Sequence, residues 1–409
     1  MKKISNFSSI FNKNHKYPIY TIDFNRKIIH NLKQIFIDNQ WERFDLIKLK
    51  KVVFFIDNNL SDIVNIDKYS NNVKIIVKYE LSDIKNDNWD IGKFISKYIN
   101  FLSSNQITPW DSLIVVAWGW GLINTIWFIS SIYHRWLPLV YIPTTPLSAC
   151  DVAVWSKTWL NNTLWKNIIW KHKIWTYFDP LAICINKNLF ERFYNINKET
   201  FILNLAESIK HFILQDVIML SKTIELINKL IEHNINYDNI EDDILNIILK
   251  TIELKDLATI IDPFEHNYWK ILLYWHKHSN FIETITNYKV PHDFSVIIWI
   301  LIDLEIQKTK FWIKFDEIEK FLYKILKFNK SKEYITIIKK SITSDFTMYL
   351  NDIKWESINN LLLKFIKLEK LGIYAKRTNE LYVENKKIEL YDCDLNIVIN
   401  SFNKVFNKI

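Results

Sequence analysis

At 409 residues the chain is longer than one ordinary hydrophobic core supports, so two domains are the natural expectation. Apolar residues at 49% and charged residues at 24% exclude a disordered or fibrous chain. The formal charge of +8 is dispersed among many Ile and Asn residues rather than gathered into a basic patch, which argues against nucleic acid and favours phosphate-bearing small molecules as anionic ligands.

The N-terminus, MKKISNFSSIFNKNHKYP, carries two lysines but no long apolar core or small-residue cleavage site, so no signal peptide is expected. The runs KVVFFIDNN (Lys51–Asn59), NVKIIVKYE (Asn72–Glu80), SLIVVA (Ser112–Ala117) and LPLVYIPTT (Leu137–Thr145) have strand length, with helix-length stretches at Ile91–Ser103 and Leu122–Tyr133 between them. That alternation predicts a Rossmann-like parallel sheet with helices on both faces, and ligands beyond the C-terminal strand ends. Leu113 to Ile132 is long enough for a membrane span, but Asn124, Thr125, the Ser130-Ser131 pair and the lack of a second such segment argue against membrane association. From about residue 180 apolar residues recur at three- and four-residue spacing, which predicts helices, and NELYVENKKIELYD reads as a small hairpin. The expected division is an α/β domain over 1–178 and an all-α domain over 179–409. Cys150, Cys184 and Cys393 form no CxxC pair and point to a reducing, cytoplasmic setting.

Glycine is scarce, with 4 residues, about 1% where about 7% is usual, while tryptophan is abundant at 17. Trp118 and Trp120 flank Gly119 directly after an apolar strand, where residues without a Cβ are expected. Trp155, Trp159, Trp165 and Trp170 recur in a polar stretch. One reading is an aromatic-rich, drifted sequence. The other is that a codon decoded as glycine in the source organism stands here as tryptophan.

Three constellations carry chemistry. The loop Trp118-Gly119-Trp120-Gly121 lies between a strand and a helix, where backbone N–H groups can meet a pyrophosphate; the alternative is a buried aromatic turn. Ile142–Asn167 packs Thr144, Thr145, Asp151, Lys157, Lys166 and Asn167 into one polar stretch suited to a phosphate and the polar side of a nucleotide; the alternative is a solvated loop. Glu207, His276 and His292 would leave open positions on a divalent ion, although His278 is an equally good donor by type and ordinary surface histidines are the plain alternative. Lys210, one turn after Glu207, shares its helix face.

Together these pieces resemble 3-dehydroquinate synthase and its sugar-phosphate cyclase relatives, most densely in YHRWLPLVYIPTTPLSACDVAVWSKTWLNNTLWKN. The family shows Tyr-x-Arg-Gly, Pro-Thr-Thr, an Asp followed by Gly-x-Lys-Thr-Gly, and Gly-Lys-Asn there. Ten tryptophans fall on its glycine positions: Trp118, Trp120, Trp127, Trp136, Trp155, Trp159, Trp165, Trp170, Trp275 and Trp299. The resemblance implies NAD on Trp118, Gly119, Trp120, Gly121 and Asn124, with Thr144, Thr145 and Asp151 nearby and Asp57 and Asn59 at the adenosine end. It implies a divalent metal, zinc or cobalt, on Glu207, His276 and His292. Lys157, Lys166 and Asn167 are expected around substrate phosphate and cofactor, Lys210 and Lys255 against substrate, and Arg135 across a homodimer interface.

Departures fall mainly on substrate positions. The family's aspartate is Asn124, its GHTFGHAIE reads WHKHSNFIE with Asn280 for the second histidine, its Leu-Asn reads Leu272-Leu273, and its carboxylate-binding arginine falls on or beside Trp269, with Lys270 the neighbouring cation. The usual His-Gly-Glu is His292-Asp293-Phe294. The resemblance implies conversion of 3-deoxy-arabino-heptulosonate 7-phosphate to 3-dehydroquinate and phosphate in the shikimate pathway, with NAD recycled. Alternatives are an inosose- or valiolone-type cyclase, a metal-dependent polyol dehydrogenase, and an inactive remnant. Peptide mass spectrometry of protein from the source organism is expected to find glycine at 118 and 120; tryptophan there ends the recoding reading.

Overall fold

A computed structural model describes residues 2–8, 16–22, 49–60, 73–80, 91–154, 156–164, 168–261, 285–311, 315–328, 331–343 and 395–408, with shorter pieces at 30–32, 35, 69–70, 279, 282–283, 373–376 and 389–392. The chain divides into two compact units, Met1–Ile196 with Tyr237–Ile260, and Asn197–Asn236 with Ile261–Ile409.

The first unit contains β1 (Lys2–Ser8), β2 (Lys16–Thr21), β3 (Lys51–Asp57), β4 (Tyr69–Ser70), β5 (Val73–Glu80), β6 (Ser112–Trp118), β7 (Leu139–Pro143), β8 (Lys157–Leu164), β9 (Ile168–Tyr177) and β10 (Ala182–Ile185). Eight of them form one sheet in the order β1-β2-β10-β7-β6-β3-β5-β4. The six inner strands run parallel, and β1 and β4 close the edges antiparallel. The central strands β3 and β6 are continuous apolar runs because both of their faces are covered: Val52–Ile56 and Leu113–Ala117 have no exposed surface.

The chain order fixes where a ligand can sit. From β3 the chain winds outward to β5, then returns to β6 on the other side of β3 and continues to β7 and β10. The C-terminal ends of β3 and β6 therefore flank a topological switch point, where a crevice opens in sheets of this kind. Their register pairs Ile56 with Ala117, which sets Asp57 level with Trp118. Asp111 pins the opposite end. Its Oδ1 accepts from the hydroxyls of Thr108 and Ser112 at 2.7 Å each, and its carbonyl accepts from the Lys50 and Lys51 amides. Burial pushes its carboxyl up, but the two hydroxyls and the Lys51 ammonium hold it below the usual aspartate value.

Helices α1 (Ile91–Ser104), α2 (Trp120–Ile132) and α3 (Lys187–Ile196) also belong to this unit. The apolar stretch 113–132 is thus a central strand followed by a helix, and no helix among the described residues is long and apolar enough to cross a membrane. The polar stretch after β7 is not a plain loop. It includes the β8–β9 hairpin, paired from Lys157↔Tyr177 to Leu164↔Ile168 with an irregularity between Leu160 and Asn162. Three bonds tie the hairpin and the chain just after it to α2. Thr158 Oγ1 donates to the Asn124 carbonyl at 3.0 Å, Ser131 Oγ and Thr176 Oγ1 lie 2.7 Å apart, and the Trp127 indole donates to the Phe178 carbonyl at 2.7 Å.

The second unit is built on α4 (Lys198–Leu203), α5 (Ala206–Gln215) and α6 (Val217–Glu232); α7 (Glu241–Ile261) returns almost wholly to the first unit. It continues with α8 (His292–Phe311), α9 (Asp316–Phe328), α10 (Ser331–Thr343) and α11 (Leu395–Lys408). Every residue of α5 is buried, charged ones included, and α8 is buried from Phe294 to Gln307. Asp216 caps α6 by accepting from the Met219 amide at 3.0 Å. Near the C-terminus β11 (Ile373–Lys376) pairs with β12 (Glu389–Asp392), so the expected hairpin draws its first strand from upstream of NELYVENKKIELYD.

Candidate functional site

At the switch point in the first unit, β6 ends on Trp118, 5% exposed, and α2 starts immediately after Gly119. Gly119 has φ −73° and ψ −171°, extended backbone that any residue adopts, and a Cβ there would meet nothing within 4 Å. What the loop provides is its place, with the N-terminus of a 13-residue helix following the end of β6, which lies level with the end of β3. Gly121 and Trp120 lie in the first turn of that helix, and Asn124 is buried one turn further on.

Across from the loop, Asp57 closes β3. Its Oδ1 accepts from the Asn59 amide at 2.9 Å, and the Asn59 carbonyl accepts from Arg192 at 3.0 Å. Burial raises the Asp57 carboxyl, partly offset by the bonds from Asn59. The turn therefore offers a part-buried carboxylate beside the helix N-terminus, an arrangement suited to the hydroxyls of a ribose. After β7, the Thr144 amide donates to the Trp118 carbonyl at 3.3 Å. Thr145 and Ser148 cap each other, each side-chain oxygen accepting from the other's amide at 3.1 Å. The turn so made carries Asp151, whose carbonyl and Oδ1 both accept from Lys255 Nζ. Lys255 is 1% exposed and Asp151 is part-buried, so a predicted substrate lysine and a predicted cofactor aspartate form one pair across 104 positions.

Lys157 opens β8 with its ammonium 4.6 Å from the centre of the Trp175 ring. Arg135 is exposed, and both it and His134 have left-handed backbone, with φ 76° and 49°. Lys166 and Asn167 lie outside the described residues, as do His276, His278, Trp269, Leu272, Leu273 and Asn280.

The second unit holds the other group. Glu207, in the first turn of α5, has no exposed surface. Its Oε2 pairs with Lys210 Nζ, one turn on and 1% exposed, as the spacing predicts. Its Oε1 faces His292 Nε2 at 3.6 Å. The other ring nitrogen, Nδ1, lies 2.7 Å from Glu283 Oε1. Next in the chain after His292, Asp293 Oδ2 accepts from Asn204 Nδ2 at 2.7 Å, fixing the first turn of α8 against the chain before α5.

Among the described residues no three His, Cys, Asp or Glu side chains gather closely enough to hold a metal by themselves. Two of the three predicted ligands are nonetheless brought face to face. Ligands about 2.1 Å from a tetrahedral zinc stand about 3.4 Å apart, close to the separation of Glu207 Oε1 and His292 Nε2. A carboxylate and an imidazole so placed, with the far ring nitrogen held by a second carboxylate, fit a divalent cation. Glu283 is legible in principle as the last residue of WHKHSNFIE, an element whose histidines are the more obvious ligand types. Asn204 and Asp293 carried no comparable signal.

The 3-dehydroquinate synthase N-terminal family matches residues 87–196, and the C-terminal family matches 204–354, together more than half of the chain. The chain belongs to the 3-dehydroquinate synthase-like family. Among curated relatives of that family, the 3-dehydroquinate synthase of Campylobacter jejuni subsp. doylei is 31% identical over 179 residues, 43% of this chain and 48% of that protein. That of Chlamydia pneumoniae is 23% identical over 317 residues, 75% of this chain and 78% of that protein. The chain spans about half the length of the Campylobacter relatives it matches. In fold it is similar to 2-epi-5-epi-valiolone synthase from Streptomyces hygroscopicus with NAD+ and Zn2+ bound, at TM-score 0.67 and 10% identity over 97% of this chain and 99% of that one. It is also similar to 2-deoxy-scyllo-inosose synthase complexed with carbaglucose-6-phosphate, NAD+ and Co2+, at TM-score 0.65 and 10% identity over 98% and 99%. The sheet with its helical second unit is thus the family's fold.

The pairing of buried Lys255 with Asp151 yields a stability prediction for this family member. Asp151→Ala leaves the lysine charge buried without that carboxylate and is expected to cost about 3 kcal/mol, read as a lower urea midpoint of the full chain. Asp151→Asn keeps an acceptor and is expected to cost less. An alanine variant as stable as the parent contradicts the pairing.

Proposed function

We propose that the protein is a sugar-phosphate cyclase that converts 3-deoxy-arabino-heptulosonate 7-phosphate to 3-dehydroquinate and inorganic phosphate, with NAD and a divalent metal, zinc or cobalt, as cofactors. The observation that carries the reading is the buried Glu207 carboxylate, shared between the Lys210 ammonium and the outward nitrogen of His292. When bound, NAD supplies reversible hydride transfer at a secondary alcohol and the cation polarises the adjoining oxygen, which together acidify a neighbouring C–H for phosphate elimination.

The chain's own residues have the following parts. Amides at the start of α2, after Gly119, take the pyrophosphate, and the Asp57–Asn59 turn takes the adenosine end. Glu207 and His292, with His276, hold the cation. Lys210 places a positive charge beside that carboxylate and so favours an anionic substrate. Lys157, Lys166 and Asn167 take substrate phosphate and the polar edge of the cofactor, with Lys255 set by Asp151. Arg135, in its left-handed turn, is offered to a second copy, and the expected setting is a cytoplasmic homodimer.

A second reading keeps the cyclase chemistry on a different sugar phosphate, of the inosose or valiolone type. It is favoured by the losses at Trp269, Leu273 and Asn280, which remove an arginine, an amide and an imidazole from positions that choose the substrate in the family.

Phosphate release from a panel of sugar phosphates tests both readings, using the full chain with Trp118→Gly and Trp120→Gly. The expected outcome is release from 3-deoxy-arabino-heptulosonate 7-phosphate with no net NADH, lowered by roughly 100-fold or more in His292→Ala. Release only from another member of the panel moves the assignment to the second reading. Net NADH accumulation makes the protein a dehydrogenase.

A further inference from the structure

Glu283 lies outside the residues to which the proposed function gives a part. It is 4% exposed, and its Oε1 is 2.7 Å from His292 Nδ1, nine positions later. The intervening chain is bent to make that contact. The Tyr288 amide donates to the Glu283 carbonyl at 2.7 Å and the Lys289 amide to the Thr286 carbonyl at 3.1 Å. Asn287 and Tyr288 both take left-handed backbone, with φ 50° and 57°. Asparagine tolerates that region, but tyrosine there costs on the order of 1 kcal/mol and persists only where its surroundings impose it. The turn reverses the chain so that His292 starts α8 after Pro291 with its ring beside the Glu283 carboxylate.

We infer that Glu283 is a positioning residue that fixes the tautomer and ring orientation of His292. A neutral imidazole carries one N–H, and a carboxylate at Nδ1 holds that proton there. Nε2 then keeps its lone pair, and Nε2 is the nitrogen that faces Glu207 at 3.6 Å, too far for a hydrogen bond but close to the spacing of two donors around one cation. Without Glu283 the proton is free to sit on Nε2, which cannot donate electrons while it carries it. The ring also loses the contact that sets its rotation. This rests on the reading of Glu207 and His292 as cation ligands, but it makes a claim about the metal-free protein as well.

Two readouts on the full chain test it. The first is zinc affinity by competition with a chromophoric chelator at fixed pH, comparing the parent with Glu283→Leu, which has no acceptor, and Glu283→Gln, which keeps a carbonyl. The leucine variant is expected to bind about 10- to 100-fold more weakly, and the glutamine variant to fall between it and the parent. The second is the ring nitrogen shifts of His292 in metal-free protein, which report the tautomer. The parent is expected to carry its proton on Nδ1, and the leucine variant to lose that preference. Parent-like zinc affinity in a folded leucine variant, or a parent with its proton on Nε2, overturns the inference. Should the leucine variant fail to fold, the glutamine variant carries the test: a fall of roughly threefold or more supports the inference and unchanged affinity overturns it. A parent that binds no zinc yet holds its proton on Nδ1 removes the metal reading and leaves the positioning role standing.

Discussion

Taking a carboxylate out of water costs several kcal/mol, and Glu207 has no exposed surface, so positive charge has to be supplied within the protein. Helix α5 provides it one turn away through Lys210, while the positive end of the same helix's dipole favours a carboxylate in its first turn. The first turn of α8 brings His292 to the second oxygen, and the Asn204–Asp293 bond holds that turn in place. An α5 buried along its whole length is costly for a helix bearing Glu207, Lys210 and His211 unless each polar group is met, and His211 is met by Gln215 at 3.0 Å. A purely structural core would be simpler with apolar residues.

The first unit solves a different problem with backbone alone. Its central strands are apolar enough to bury both faces, and the order in which the chain visits the strands leaves the ends of β3 and β6 side by side. Neither end needs an unusual residue. Gly119 is in ordinary extended backbone, and the space around it would accept a side chain. Trp127, another of the tryptophans at family glycine positions, packs edge-on against Tyr141 and donates to the Phe178 carbonyl, so the fold accommodates an indole within α2. Its replacement by glycine would forgo a packed side chain and the bond to the chain just after the β8–β9 hairpin.

Much of this was legible in the sequence, for physical reasons. Val52–Ile56 and Leu113–Ala117 read as inner strands because a strand covered on both faces has no polar alternation to preserve. The Glu207–Lys210 pairing followed from helical spacing alone. The β8–β9 hairpin was not legible: the polar stretch Ile142–Asn167 shows no strand alternation, and the hairpin is held by bonds to α2 that periodicity does not encode. Lys255 and Asp151 lie 104 positions apart, and no local pattern joins them. Glu283 acts through the ring of another residue, which a search for ligand types passes over. The edge strand β1 was missed because a short, mixed-polarity run at a sheet edge is satisfied by one neighbour and carries little pattern.

As the proposed cyclase, the protein would recycle its nicotinamide within one catalytic cycle. Nicotinamide absorbance during a single turnover of the NAD-loaded full chain, carrying glycine at 118 and 120 and rapidly mixed with 3-deoxy-arabino-heptulosonate 7-phosphate, measures this directly. The predicted trace rises as NADH forms and returns to baseline as product appears. NADH that persists, or product formed with no transient at all, would contradict it.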